Sequence, residues 1–144
     1  MKRTDRTVEL FQQGFSCSQA ILAVYGEQFG LDRETALRVA GAFGAGMGRM
    51  GETCGAVTGA FMVIGLQHGK TRADDDQSKE KACALVNEFV ERFSSRNGSI
   101  VCRQLLGCDI GTAEGYSRAK ERALFTSVCP KLVRDAAEII EEIL

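Results

Sequence analysis

The chain has 144 residues, 44% hydrophobic and 26% charged, with a net charge of −1. A chain of this length reads as one domain, 1–144, that buries roughly 68–70% of its unfolded surface, so its six cysteines are not needed as staples. The even charge balance excludes the basic footprint of a nucleic-acid binder, and the absence of Trp with few other aromatics excludes a base-stacking platform.

The start, MKRTDRTVELF, carries early positive charge but no apolar stretch, being interrupted by Asp5 and Glu9, so no signal peptide is read there. The most apolar run, Val57 to Leu66, is too short to span a bilayer, and no membrane partner is expected. The cytoplasm is the expected compartment. Thiols there are kept reduced, so the cysteines are expected to be reactive, ligating or buried rather than bridged.

Apolar residues recur at the helical period and not at the strand period, which predicts an all-α fold: a single compact bundle of about seven or eight helices. Asp5 to Gln13 is a short amphipathic segment ended by Gly14. Ser16-Cys17-Ser18-Gln19 has the form of a capping box and predicts a second helix running to Phe29, with Gly30 as its stop. Asp32 caps a third helix carrying Ala36, Leu37, Val39, Ala40 and Phe43. A fourth runs from Thr53 to His68, and a fifth from Asp76 to Phe93 with Ala82, Val86, Phe89, Val90 and Phe93 as its apolar stripe. Ser99 caps a short helix ending at Gly107, and Thr112 caps Ala113 to Ala123. Ser127 or Cys129 opens the last helix, with Pro130 in its first turn and Val133, Ala136, Ala137, Ile140 and Leu144 on its apolar face.

Between the third and fourth helices lies GAFGAGMGRMGETCGAVTGA, which contains G-x-G-x-x-G at Gly46, Gly48 and Gly51. That pattern binds a dinucleotide only after a strand and with an acidic residue ending a second one. Here a helix precedes it, Asp74 falls in a polar loop, and Glu52 stands where a P-loop needs Lys. The glycines read instead as a sharp turn with positive φ and close backbone approach. Gly55 and Gly59, with Ala56 and Ala60 beside them, predict a small-residue face on which another helix packs closely, at about 1 kcal/mol of helix propensity per glycine.

The cysteines are Cys17, Cys54, Cys83, Cys102, Cys108 and Cys129, and no two form C-x-x-C. Cys17, Cys54, Cys102 and Cys129 fall in or beside predicted first helical turns. There the unpaired N–H groups and the positive end of the helix dipole favour thiolate over thiol. Arg49, Arg103 and Lys131 lie near these sites in sequence and would add positive potential. Cys83, on the stripe of the fifth helix, reads as core packing, and Cys108, after Gly107, as an exposed spare thiol or a resolving partner. His68, the single histidine, reads as a helix C-terminal residue that suits the dipole. Asp74-Asp75-Asp76 reads as a solvated loop capping the fifth helix. Glu138, Glu141 and Glu142 read as the wet face of the last one.

Cys17 in GFSCSQA, the hexapeptide Cys54-Gly-Ala-Val-Thr-Gly59, Cys102 in NGSIVCRQLLG and Cys129 in VCPKLVRDAAEII together resemble the C_GCAxxG_C_C family. These are small bacterial and archaeal proteins to which redox activity is ascribed. The resemblance covers nearly the whole chain, in order. It implies that the shared features are Cys17, Cys54, Cys102 and Cys129 with Gly55, Ala56 and Gly59, and it leaves Cys83 and Cys108 outside the set. Some relatives carry a twin-arginine export signal, which implies a prosthetic group such as an iron–sulfur cluster. MKRTDRTVELF shows no such signal, so an export-linked cofactor is not expected here.

Three functions follow. The first is a thiol–disulfide oxidoreductase or electron-transfer protein working through Cys17, Cys54, Cys102 and Cys129 with a redox partner protein. Four cysteines allow three connectivities, and Cys17–Cys54 with Cys102–Cys129 is the one expected. The second is a metal-binding module in which the same four thiolates hold Zn²⁺ or an iron–sulfur cluster. The third is a structural or interaction protein with buried cysteines.

Overall fold

Eight helices and no strands make up the computed structural model, which describes residues Met1–Leu144. They are α1 (Arg3–Gln12), α2 (Cys17–Tyr25), α3 (Arg33–Ala40), α4 (Gly55–His68), α5 (Asp76–Asn97), α6 (Cys102–Leu106), α7 (Ala113–Glu121) and α8 (Cys129–Ile143). Short turns at Glu27–Phe29, Gly44–Met47 and Leu124–Ser127 join them. No helix is long and apolar enough to cross a membrane.

The expected caps set four of the eight starts. Ser16 Oγ accepts from the Gln19 N–H at 3.3 Å, and Gln19 Oε1 accepts from the Ser16 N–H at 3.0 Å, which closes the box at the head of α2. Asp32, Asp75 and Thr112 accept from the backbone N–H groups of Thr35, Ser78 and Gly115. Each satisfies one of the donors that a helix start leaves unpaired.

Three ends differ from expectation. α2 stops at Tyr25, and a tight 3₁₀ turn carries the chain on to Gly30, which is left-handed at φ 81°. α5 runs on to Asn97 before the left-handed Gly98. Its extra turn holds Arg96, whose guanidinium donates to Glu138 at 2.7 Å and to Glu142 at 2.6 Å on α8. Ser99 does not cap the sixth helix. Its Oγ accepts from the Val101 N–H at 2.9 Å, and α6 begins only at Cys102 because residues 100–102 are paired with residues 52–54.

The core forms around α2, whose residues from Ala20 to Tyr25 are all buried. α4 lies against it through the predicted small-residue face. A Cβ on Gly59 would come within 2.9 Å of Ile21 Cβ, and one on Gly55 within 3.2 Å of Cys17 Cβ. α8 closes the other side with Leu132, Val133, Ala136, Ala137, Ile139 and Ile140, while the expected Leu144 is only partly buried. α5 adds the stacked pair Phe89 and Phe93, with ring centroids 5.8 Å apart. Its expected stripe is buried only at these two residues. Ala82, Val86 and Val90 are half-buried, Ala82 and Val86 lying against the core, and Cys83 on a neighbouring side of the helix is exposed. Cys83 is therefore a surface thiol, contrary to its expected core position. No buried side-chain nitrogen or oxygen lacks a hydrogen-bond partner.

Gly59 and Gly65 give a paired test of the α2–α4 contact. Gly59→Ala would gain helix propensity but drive a methyl into a stiff β-branched neighbour, for a net loss of about 1–2 kcal/mol in urea unfolding. Gly65 has nothing within 4 Å of its absent Cβ, so Gly65→Ala should gain about 0.5–1 kcal/mol. Equal effects at both positions would contradict close packing at Gly59.

Candidate functional site

The four cysteines expected at helix starts lie at helix starts. Cys17, Cys102 and Cys129 are the first residues of α2, α6 and α8, and Cys54 is the N-cap of α4. All four are buried, none more than 8% exposed, and all four line one cavity of about 760 Å³. The cavity reaches the surface through the exposed Gln12, Gly14, Arg49 and Thr126. Cys83 and Cys108 are not among its lining residues. Cys108 is buried, not the exposed spare thiol expected of a loop residue.

Two local devices bring Cys54 and Cys102 to the site. The first is a left-handed turn. Ala45, Gly46, Met47, Gly48 and Arg49 all have φ between 57° and 69°. The glycines at 46 and 48 accept this freely, whereas the other three residues are strained by roughly 1–2 kcal/mol each. A Cβ on Gly46 would sit 2.5 Å from the Glu52 nitrogen, so the turn folds directly onto the segment leading into Cys54. The second is a short antiparallel pairing. The Cys54 N–H donates to the Ile100 carbonyl at 2.8 Å, and the Cys102 N–H donates to the Glu52 carbonyl at 2.6 Å. Two helix starts are thereby held side by side by backbone hydrogen bonds.

The electrostatics of the thiols depart from expectation. Burial pushes Cys54 up to about 11, although the backbone N–H groups of Ala56 and Val57 pull the other way. Burial, together with the neighbouring Cys54 and Cys129, pushes Cys102 up to about 12. At these two helix starts desolvation outweighs the dipole. Cys17 and Cys129 behave as a pair. Interaction with the neighbouring Cys129 thiol raises Cys17 well above its ordinary 9.0, with burial and the Cys54 and Cys102 sulfurs adding to the rise. The same interaction lowers Cys129 against the effect of burial. Cys129 is thus the sulfur that ionises first, at the head of a 15-residue helix.

Of the three nearby cations, only Arg49 lines the cavity. Its guanidinium lies 4.0 Å from the centroid of the Tyr116 ring. Arg103 is tied to Glu52 at 2.8 Å and Lys131 to Asp135 at 2.6 Å. The aromatic wall of Phe11, Phe15, Tyr116 and Phe125 is absent from the sequence-based site. Phe15 carried one signal for it: an apolar residue just before an N-cap packs back over the helix start.

His68 ends α4 and Asp75 caps α5, both as expected and both away from the cavity lining. Glu138 and Glu142 pair with Arg96, and Glu141 accepts from the buried Tyr25 hydroxyl at 3.1 Å. No three Cys, His, Asp or Glu side chains draw together so as to hold a metal ion. The four thiols share a cavity but do not converge as a ligand set for Zn²⁺.

A family model described as "Putative redox-active protein (C_GCAxxG_C_C)" matches residues 15–143. No curated protein and no solved structure matches the chain.

At pH 8, iodoacetamide should label the exposed Cys83 first and Cys129 next, with Cys54 and Cys102 following only in denaturant. Peptide mapping against time reads this order, and labelling of Cys54 as fast as Cys129 would refute it. Stability should also fall as pH rises from 9 toward about 11, where the unfolded Cys54 ionises and the folded one does not. Urea midpoints across that window should drop less in Cys54→Ala than in the parent chain.

Proposed function

The chain belongs to the C_GCAxxG_C_C family, and from that premise we propose that it carries out thiol–disulfide exchange with Cys129 as nucleophile and Cys17 as resolving thiol. What supports this reading is the place of Cys17 and Cys129 together in one cavity that reaches the surface, where the two thiols act on each other so that Cys17 is raised and Cys129 lowered.

The Cys129 thiolate attacks one sulfur of a substrate disulfide, forms a mixed disulfide and expels the other half as a thiolate. Cys17 gives up its proton to that leaving thiolate and attacks Cys129, releasing the second half. The substrate gains two electrons, and the protein is left with a Cys17–Cys129 disulfide. A thiol or dithiol reductant returns both sulfurs to the reduced state. The thiolate, not the thiol, is the nucleophile, so the lowered pKa of Cys129 supports its role. The raised pKa of Cys17 supports its holding a proton until the mixed disulfide forms. Cys54 and Cys102, held protonated by burial, form the surrounding wall and keep the pair from water.

The test uses the reduced protein, prepared without oxygen and with its metal content recorded. Challenge with glutathione disulfide followed by alkylation should remove two thiols, and mapping should find them as Cys17–Cys129, restored by dithiothreitol. Cys17→Ser should stop at a mixed disulfide on Cys129, and Cys129→Ser should lose the reaction by about a hundredfold or more, as removal of a nucleophile does. A bond between any other two cysteines, or no thiol loss, would sink the assignment.

A further inference from the structure

We propose that the cavity binds a small organic anion with an apolar body, and that disulfides of this class are what its cysteines reduce, the two electrons from Cys17 and Cys129 giving two thiols. The second half rests on the thiol–disulfide reading above; the binding itself does not.

Size and depth come first. About 760 Å³ lies within the range of small-molecule sites. The four thiols, none more than 8% exposed, sit too deep for a sulfur on a folded protein's surface to reach them. A slender molecule can enter.

The walls say what kind of molecule. Phe11, Phe15, Leu105, Leu106, Phe125 and Leu132 supply apolar surface, and the thiols are held mostly neutral. Hydrocarbon is the body that such walls desolvate at least expense, at about 25 cal/mol per Å².

Charge supplies the remaining element. No Asp or Glu lines the cavity. Arg49 lines it, enters none of the chain's ion pairs, and is exposed. Its stack on Tyr116 holds it at the entrance. On the same ring lies Lys120, its Nζ 4.9 Å from the centroid and likewise without an ion pair. Two cations without carboxylate partners thus flank one aromatic ring of the wall. A guanidinium held by stacking keeps its N–H donors free for a carboxylate or sulfonate. Arg49 also has a strained φ of 68°, a conformation that persists where the surroundings require that residue there.

Calorimetry on the reduced full-length protein tests the binding with probes that contain no sulfur. Naphthoate should bind, naphthylmethanol about tenfold more weakly, and naphthylmethylammonium without detectable heat. Arg49→Gln and Lys120→Gln should each weaken naphthoate, and the double variant should erase its advantage over the alcohol, while Arg49→Lys should keep most of it. Circular dichroism on each variant confirms that the helices are retained. Equal affinity for anion and alcohol, an advantage that survives in the double variant, or no binding by any probe would overturn the proposal. These outcomes stand apart from the formation of the Cys17–Cys129 bond, so binding and exchange can fail separately.

Discussion

The missing side chain of Gly55 is the constraint on which the site depends. A Cβ there would lie 3.2 Å from Cys17 Cβ, 3.2 Å from the Ser18 nitrogen and 3.3 Å from Gly44 Cα. Three stretches of chain meet at that point: the head of α2, the head of α4 and the entry to the left-handed turn. Because they touch backbone to backbone, two helix starts reach the same cavity, each carrying a cysteine. The pairing of residues 52–54 with 100–102 then brings in the start of α6, and α8, packed against α1, α4 and α5, brings the fourth. α2, α4 and α8 can approach in this way because their contact faces are small or apolar. The buried sequence Ala20-Ile21-Leu22-Ala23 of α2 faces neighbours on every side.

Gathering four helix starts does not by itself activate four thiols. A helix terminus favours a charge by about 0.3–1 kcal/mol. Raising Cys54 from 9.0 to about 11 corresponds to more than that, at about 1.4 kcal/mol per pKa unit. Burial therefore wins at Cys54 and Cys102. At Cys129 the interaction with the neighbouring Cys17 outweighs burial. The arrangement thus raises three of the four thiols and lowers one, although all four stand at helix starts.

The left-handed turn ties this chemistry to the entrance. It spends backbone strain at Ala45, Met47 and Arg49, and strain of this kind tends to gather at functional sites. In return, the turn folds onto Glu52, steers the chain into Cys54, and sets Arg49 over Tyr116 from α7. One loop thus shapes both the thiol end of the cavity and its charged mouth.

Much of this was legible in the residues. Ser16 and Gln19 spell a capping box, Asp32 and Thr112 spell caps, and Gly55 with Gly59 spells a close helix contact, because each depends on neighbours within one or two turns. Cys17 at a helix start followed from the capping box and Cys129 from Pro130 beside it, whereas Cys102 was placed by a Ser99 cap that does not form. Local signals failed where distant segments decide the outcome. Cys83 has the right spacing for a core stripe, but it is exposed while Ala82 and Val86 beside it lie against the core, because burial depends on which side of a turn its neighbours cover. Cys108 looks like a loop thiol and is buried. The positive ends of helices predicted lowered pKa values, yet desolvation is a property of the packed interior. The sequence by itself determined an all-α chain, its capped helix starts and the cysteines on them, since short-range hydrogen bonding and the helical period suffice for these. Only the tertiary structure decided which thiols meet, that Cys17 engages Cys129, and that Arg49 guards an aromatic cavity, because each joins residues tens of positions apart through packing that no local pattern encodes.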